Sequence, residues 1–222
     1  MVQAAGKIPI QVKETQIDML SLSGHKLHGP KGIGALYVRK GVRLHPFVRG
    51  GRQERGRRAG TENVPAIVGF GKAAELAQQS MRSDEPRIRN LRDGLERSLL
   101  QRISNAVVIG DRDNRVPNTL NIAFQHQESD SILSLLNQQG IAASSGSACA
   151  SGSMEPSHVL RAMKVPYTLA YGAVRFSLSR ENTADEVDRV VEAMPVIIDR
   201  LRGPSFATGA TADTGEFQTS YL

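Results

Sequence analysis

Apolar and polar positions along this chain follow two rhythms, short runs that read as strands and longer stripes that read as helices. Residues 17–23 form an apolar run ending in small polar side chains before Gly24-His25-Lys26, which predicts a buried strand feeding a loop. Residues 34–39 predict a second strand, and Gly29-Pro30-Lys31-Gly32 supplies turn chemistry between the two. Asn63 and Pro65 mark a helix start that the Ala-rich residues 67–79 continue. From Glu85, the spacing of Ile88, Leu91, Leu95, Leu99 and Ile103 lays one apolar stripe along a helix whose other face is charged.

Residues 118–124 alternate as a strand should, and residues 129–138 predict a helix ending at Gly140, where positive φ is wanted. Residues 157–163 read as a short helix and residues 173–179 as another strand. Thr183-Ala184-Asp185-Glu186 is a capping box, and Val187, Val190, Val191, Met194, Ile198 and Leu201 form the stripe of the last helix, with a kink expected at Pro195. Beyond Gly203 the sequence has no period, which predicts a disordered tail. Strands mixed with helices and no repeats indicate an α/β or α+β chain in two parts, joined through the helical region near residues 64–104.

Composition narrows the class. The 222 residues are 40% apolar and 23% charged, which suffices for a real core, and no run approaches the roughly 20 apolar residues that span a bilayer. With no leader pattern at its start, the chain reads as cytoplasmic. The net charge of +6 is concentrated in residues 39–58, where eight Lys and Arg face one acid, Glu54. Such a stripe suits nucleic acid, an acidic partner or a phosphorylated cofactor. The absence of Trp and only 5% aromatic residues argue against a single-strand-binding surface, which needs stacking platforms.

Two residues stand out chemically. Cys149 is the only cysteine, so it forms no intrachain disulfide, and it lies in a Ser, Gly and Ala stretch with no bulky neighbours to pack against. No second Cys and no His stands at ligand spacing beside it, which speaks against metal. Thiolate chemistry on a mobile arm is the expectation. No Gly-x-Ser-x-Gly elbow makes the adjacent serines nucleophiles. Lys26, at the end of an apolar strand among Ser, His and Gly, stands where desolvation and neighbours lower an amine pKa enough for Schiff-base chemistry. Taken alone, the same residues also suit simple phosphate binding or a surface lysine beside a turn.

Four motifs in order change that balance. Ser23-Gly24-His25-Lys26 with Gly29-Pro30-Lys31-Gly32-Ile33-Gly34, the stretch from Gly50-Gly51-Arg52 to Gly60-Thr61-Glu62-Asn63, Ser145-Gly146-Ser147-Ala148-Cys149 with Glu155-Pro156-Ser157-His158, and Val174-Arg175-Phe176-Ser177 together resemble the cysteine desulfurases. The resemblance is to the NifS type that serves nitrogenase cluster assembly, and it runs over residues 2 to about 201.

The resemblance implies a pyridoxal-phosphate-dependent transferase of fold type I, acting as a homodimer. Lys26 matches the lysine that holds pyridoxal 5'-phosphate as a Schiff base and shuttles the substrate Cα proton. Ser23 and His25 match contacts to the cofactor phosphate, Gln3 matches a donor to the pyridoxal ring oxygen, and Thr61 matches a threonine that reaches the other subunit's phosphate. Arg175 matches the bidentate clamp on the substrate carboxylate. Cys149 matches the nucleophile that takes sulfur from L-cysteine as a persulfide, releasing alanine and passing the sulfur to an iron–sulfur scaffold protein. No intrinsic metal site is implied, only transient ligation by the Cys149 persulfide of a cluster shared with that acceptor. Nucleic acid and membrane are not expected partners.

Residues 1–82 would then be a remnant of the large cofactor-binding domain, residues 83–203 the small α+β domain with the cysteine loop, and residues 204–222 the tail. The family's aspartate at the pyridinium nitrogen would fall three residues before Gln3, ahead of Met1, as would its ring-stacking histidine, an asparagine near the carboxylate and a phosphate-turn threonine. The chain therefore reads as the C-terminal fragment of such an enzyme. A non-catalytic module that docks a sulfur acceptor or a full-length subunit, and a selenocysteine lyase, are the alternatives.

Overall fold

The computed structural model describes residues 2–145 and 156–203. The chain divides into two compact units, Met1–Pro86 and Arg87–Leu222. Cys149 and the tail expected at residues 204–222 lie outside the described residues.

In the first unit, β1 (Met19–Ser23) and β2 (Gly34–Val38) pair antiparallel, Met19 opposite Val38 and Ser23 opposite Gly34. Gly34 has to be glycine, because a Cβ there would overlap the Leu22 carbonyl oxygen across the pair. A 3-10 turn, Gly24–Leu27, follows β1 directly. Arg39, the first residue of the basic stripe, pins the chain ahead of β1: its Nε donates to the Ile17 carbonyl (3.0 Å) and its Nη2 to the Val12 carbonyl (2.9 Å). The core is small, with Ala5, Leu27 and Ala73 buried among Ile10, Leu22, Phe70 and Ala77. The strand expected to be buried is only partly so. Leu20 is buried while Met19 is 41% exposed, because β1 has β2 alone as a sheet neighbour among the described residues.

The helix α1 (Val64–Arg102) is longer than the sequence suggested. The two helical patterns on either side of residue 80 are one 39-residue helix running through Pro86. A proline there removes one backbone donor, and the Arg82 carbonyl it would have met belongs to an exposed residue that water can serve. The Asn63 side chain accepts from the Ala66 N–H (3.3 Å) and so satisfies one of the donors left free at the start.

The second unit contains β3 (Ala106–Val108), β4 (Thr119–Phe124), α2 (Ser129–Gln138), α3 (His158–Ala162), α4 (Tyr167–Ala170), β5 (Ala173–Ser177) and α5 (Ala184–Arg202). The strands form an antiparallel sheet in the order β3-β4-β5. Leu120 and Ile122 of β4 stand opposite Phe176 and Val174 of β5 on one face. That face is sealed by Leu95 and Leu99 of the C-terminal part of α1 and Ile103 just after it, by Ile132 and Leu136 of α2, and by Val187, Val191, Met194 and Ile198 of α5. The capping box at the start of α5 is formed in both directions between Thr183 and Glu186, and the helix continues through Pro195. Gly140 has φ +73, closing α2 as its sequence required.

Two nearly buried charged side chains sit on one side of α1. Glu96 is 3% exposed and receives the guanidinium of Arg115 (2.6 Å) and that of Arg112; Arg92 is 1% exposed and donates to Asp93 (2.7 Å) and to the Val116 carbonyl (3.2 Å). A buried charge survives only when it is paired and hydrogen-bonded, so these contacts fix the loop before β4 to the helix. Among the described residues, no helix is long and apolar enough to cross a membrane.

Two glycines of the second unit test the packing with opposite signs. A methyl at Gly172 would overlap the Phe124 carbonyl oxygen, whereas one at Gly94, inside α1, meets nothing within 4 Å. Gly172→Ala should destabilise by roughly 1–3 kcal/mol, and Gly94→Ala should stabilise by about 0.5–1 kcal/mol. Urea midpoints read both, and a neutral Gly172→Ala would contradict the packing of β4 against the start of β5.

Candidate active site

Ser23 is the last residue of β1, and the 3-10 turn that follows carries His25 and Lys26. It closes on the Gly24 carbonyl, which accepts from the backbone N–H of His28, in the left-handed region at φ 61, and from that of Gly29 (3.0 Å). Gly24 is buried, and a Cβ there would lie 2.7 Å from Ile33 Cγ2 and 2.9 Å from the Pro30 carbonyl. The loop can therefore fold back tightly and present His25 and Lys26 outward. Ser23 Oγ and His25 Nδ1 lie 2.9 Å apart. Lys26 itself is exposed, so the desolvation expected of it is absent among the described residues. The reason is local, since its neighbours on the turn are glycine and histidine and the apolar side chain Leu27 turns inward.

The desolvated amine is Lys7 instead, a residue that sequence reasoning passed over. Burial, and next the positive charge of Lys26, hold its pKa below the ordinary lysine value. The backbone explains the approach. Residues 3–8 form a turn in which the Ala4 carbonyl accepts from Lys7 N–H (3.0 Å) and Ile8 N–H (3.1 Å). Gly6 adopts φ +70, and a Cβ on it would meet Leu27 Cδ2 at 2.7 Å. The missing side chain lets the turn that carries Gln3 and Lys7 rest directly on Leu27, the residue after Lys26. Gln3 is exposed on this turn. The only sequence signal for Lys7 was its position four residues after Gln3.

Thr61 is exposed on the loop before α1, which is shaped by the Gly60 N–H donating to Gln53 Oε1 (3.2 Å) and by burial of Ala59. Arg175 lies in the second unit, in the middle of β5. Its backbone exchanges hydrogen bonds with Ser144, Ser144 N–H to the Arg175 carbonyl (3.1 Å) and Arg175 N–H to the Ser144 carbonyl (2.6 Å). The segment that leads to Cys149 in sequence is thus tied to the strand carrying Arg175, and on its far side Ser157 caps α3 by accepting from the Val159 N–H (3.3 Å). The nucleophile position itself lies outside the described residues. Among the described residues, no group of three or more His, Cys, Asp or Glu is placed to hold a metal ion.

The profile of the aminotransferase class-V family matches residues 1–190. The chain belongs to the class-V aminotransferase family. Over 221 residues it is 64% identical to a protein of Gluconacetobacter diazotrophicus named cysteine desulfurase, covering 99% of this chain and 55% of that relative. Over 204 residues it is 59% identical to the cysteine desulfurase NifS of Azotobacter vinelandii, covering 92% of this chain and 51% of the relative. A solved NifS-like protein superimposes with a TM-score of 0.81 at 37% identity, over 90% of this chain and 52% of its own. The chain spans about half the length of the curated relatives it matches.

Class-V aminotransferases depend on pyridoxal phosphate in general. The donor set on the first unit of this family member fits that group. A primary amine able to condense with an aldehyde stands on a turn with a hydroxyl and an imidazole suited to a phosphate dianion, and a second amine held close raises the local positive potential.

Lys7 gives a pH signature. Its folded pKa is depressed, so the folded state binds fewer protons than the unfolded one, and stability rises with pH from Lys7's own folded pKa up to the ordinary lysine value. Lys7→Met should therefore be more stable than the wild type near neutral pH, with the gap closing as the pH approaches that ordinary value. Denaturant midpoints measured from pH 7 upward check this, and a gap that does not vary with pH would count against a charged, half-buried Lys7.

Proposed function

We propose that the chain forms the C-terminal part of a cysteine desulfurase, in which L-cysteine gives up its sulfur to Cys149 and leaves as L-alanine. The observation that supports this best is the ordered set of Lys26, Thr61, Cys149 and Arg175 motifs within a chain that is 64% identical to a protein carrying that name. Residues 1–82 would belong to the large cofactor domain, and residues 83–203 to the small domain.

In this reading Arg175 grips the substrate carboxylate, where a planar fork with paired donors fixes orientation as well as charge. Pyridoxal phosphate, when bound through Lys26 with Ser23, His25 and Gln3 around it, supplies the electron sink for negative charge at the substrate Cα. The freed Lys26 amine takes the Cα proton and later returns one. The Cys149 thiolate attacks the substrate sulfur, so an S–S bond forms on the enzyme as the substrate Cβ–S bond breaks. The electron pair of that bond stays with carbon, and the carbon is protonated as alanine forms. Thiol plus cysteine becomes persulfide plus alanine with no external oxidant. Thr61, exposed ahead of α1, reaches the cofactor phosphate of a second subunit in a homodimer. The persulfide then serves an iron–sulfur scaffold protein in the cytoplasm, for nitrogenase clusters if the likeness to NifS extends to role.

The complete gene product, supplied with pyridoxal phosphate, L-cysteine and a reductant, should yield alanine and sulfide in equal amounts. Lys26→Ala should lose the absorbance of the bound cofactor altogether. Cys149→Ser should keep that absorbance while alanine formation falls by at least about 100-fold, the scale of losing a nucleophile. Undiminished alanine formation by Cys149→Ser would exclude the proposal.

A further inference from the structure

The sheet face opposite the core of the second unit carries an unresolved pairing. Asn121 of β4 and Arg175 of β5 are register partners, so their side chains leave the same face side by side. Two buried side-chain atoms on these residues lack hydrogen-bond partners among the described residues, and they are complementary: Arg175 Nε, a donor, and Asn121 Oδ1, an acceptor. A buried donor or acceptor left alone is costly, so two complementary orphans on directly opposed residues call for a bond in the working state. Asn is also depleted in strand interiors, so its place in the central strand β4, between the core residues Leu120 and Ile122, asks for a reason.

We propose that Asn121 is the positioning residue of Arg175: its side-chain oxygen takes the Nε–H and leaves the terminal guanidinium nitrogens to grip the substrate carboxylate end-on. The proposal rests on the reading of Arg175 as the carboxylate clamp. Arg175 Nε is shielded from solvent, so the incoming carboxylate meets the terminal nitrogens, and the Asn121 oxygen on the opposed residue is left to take the Nε–H. The strand pairing makes the arrangement stiff. Arg175 gives both its backbone bonds to Ser144 on one edge while its neighbours Val174 and Phe176 pair with β4 on the other, so the strand is held from both sides and the guanidinium needs only one side-chain partner to fix its plane. Asn121 is distinct from the asparagine that the family resemblance implies near the substrate carboxylate.

The test uses the complete gene product loaded with pyridoxal phosphate, titrated with L-alanine and with L-alaninamide and followed by the absorbance of the bound cofactor. The wild type should prefer the carboxylate ligand. Asn121→Ala should weaken L-alanine about tenfold, as expected for one lost charge-assisted hydrogen bond, and leave L-alaninamide within about twofold. Asn121→Leu, which keeps the volume, should do the same. In an Arg175→Ala background, Asn121→Ala should add less than about twofold. Equal weakening of both ligands, an additive loss, or a wild type without carboxylate preference would overturn the proposal. Should neither Asn121 variant fold, nitrogen-15 spectra of the wild type decide: with L-alanine bound, the Arg175 Nε–H signal, assigned by its loss in Arg175→Lys, should be protected from exchange, and an unprotected signal overturns the proposal. Failure of the desulfurase reading is seen separately, as a wild type that makes no alanine from L-cysteine.

Discussion

The register between β4 and β5 is the constraint on which the second unit depends. Side chains alternate across a sheet with a period of two, so placing Leu120, Ile122, Val174 and Phe176 in the core sends Asn121 and Arg175 to the opposite face together. A one-residue slip would drive a guanidinium into a face closed by Met194, Ile198 and Leu136, at a desolvation cost of several kcal/mol. The packing that stabilises the unit is therefore also what aims its arginine. The same strand then receives Ser144, so the chain toward Cys149 departs from a residue whose backbone is fixed to Arg175 in both directions. Under the proposed function, grip on the carboxylate and delivery of the thiol would share one anchor.

In the first unit the corresponding device is made of missing side chains. Gly6, Gly24 and Gly34 each stand where a Cβ would run into a neighbour: Gly6 lets the Gln3–Lys7 turn rest on Leu27, Gly24 lets the Lys26 turn close on Pro30 and Ile33, and Gly34 lets β2 lie against Leu22 of β1. The outcome is two amines of unlike character. Lys26 is exposed and accessible, and Lys7 is half-buried and unwilling to carry its charge.

Much of this could be read from residues alone, and the exceptions have physical causes. The capping box at Thr183, the turn at Gly140, the alternation through β4 and the stripe of α5 appeared as expected, because each rests on local geometry that a few side chains specify. Three-residue β3 and four-residue α4 went unread, being too short to repeat their periods of two and 3.6 often enough to stand out. The helical patterns over residues 67–79 and from Glu85 were read separately, and the structure joins them through Pro86, since one lost hydrogen bond at an exposed position does not outweigh a stripe packed from Ile88 to Ile103. The burial of residues 17–23 was overestimated, because an apolar run announces a buried strand without saying what covers it. Lys26, Ser23, His25, Gln3, Thr61 and Arg175 were proposed as site residues through motif resemblance. Lys7 and Asn121 needed coordinates, since their significance lies in neighbours 19 and 54 positions away in sequence.

The central claim is that the sulfur of L-cysteine passes to Cys149. Its most direct test is to incubate the complete gene product, loaded with pyridoxal phosphate, with L-cysteine labelled by a heavy sulfur isotope, alkylate without reduction, and locate the label by peptide mass spectrometry. The account predicts one labelled sulfur on the peptide containing Cys149, accompanied by alanine. Alanine formed with no label on that peptide would contradict it.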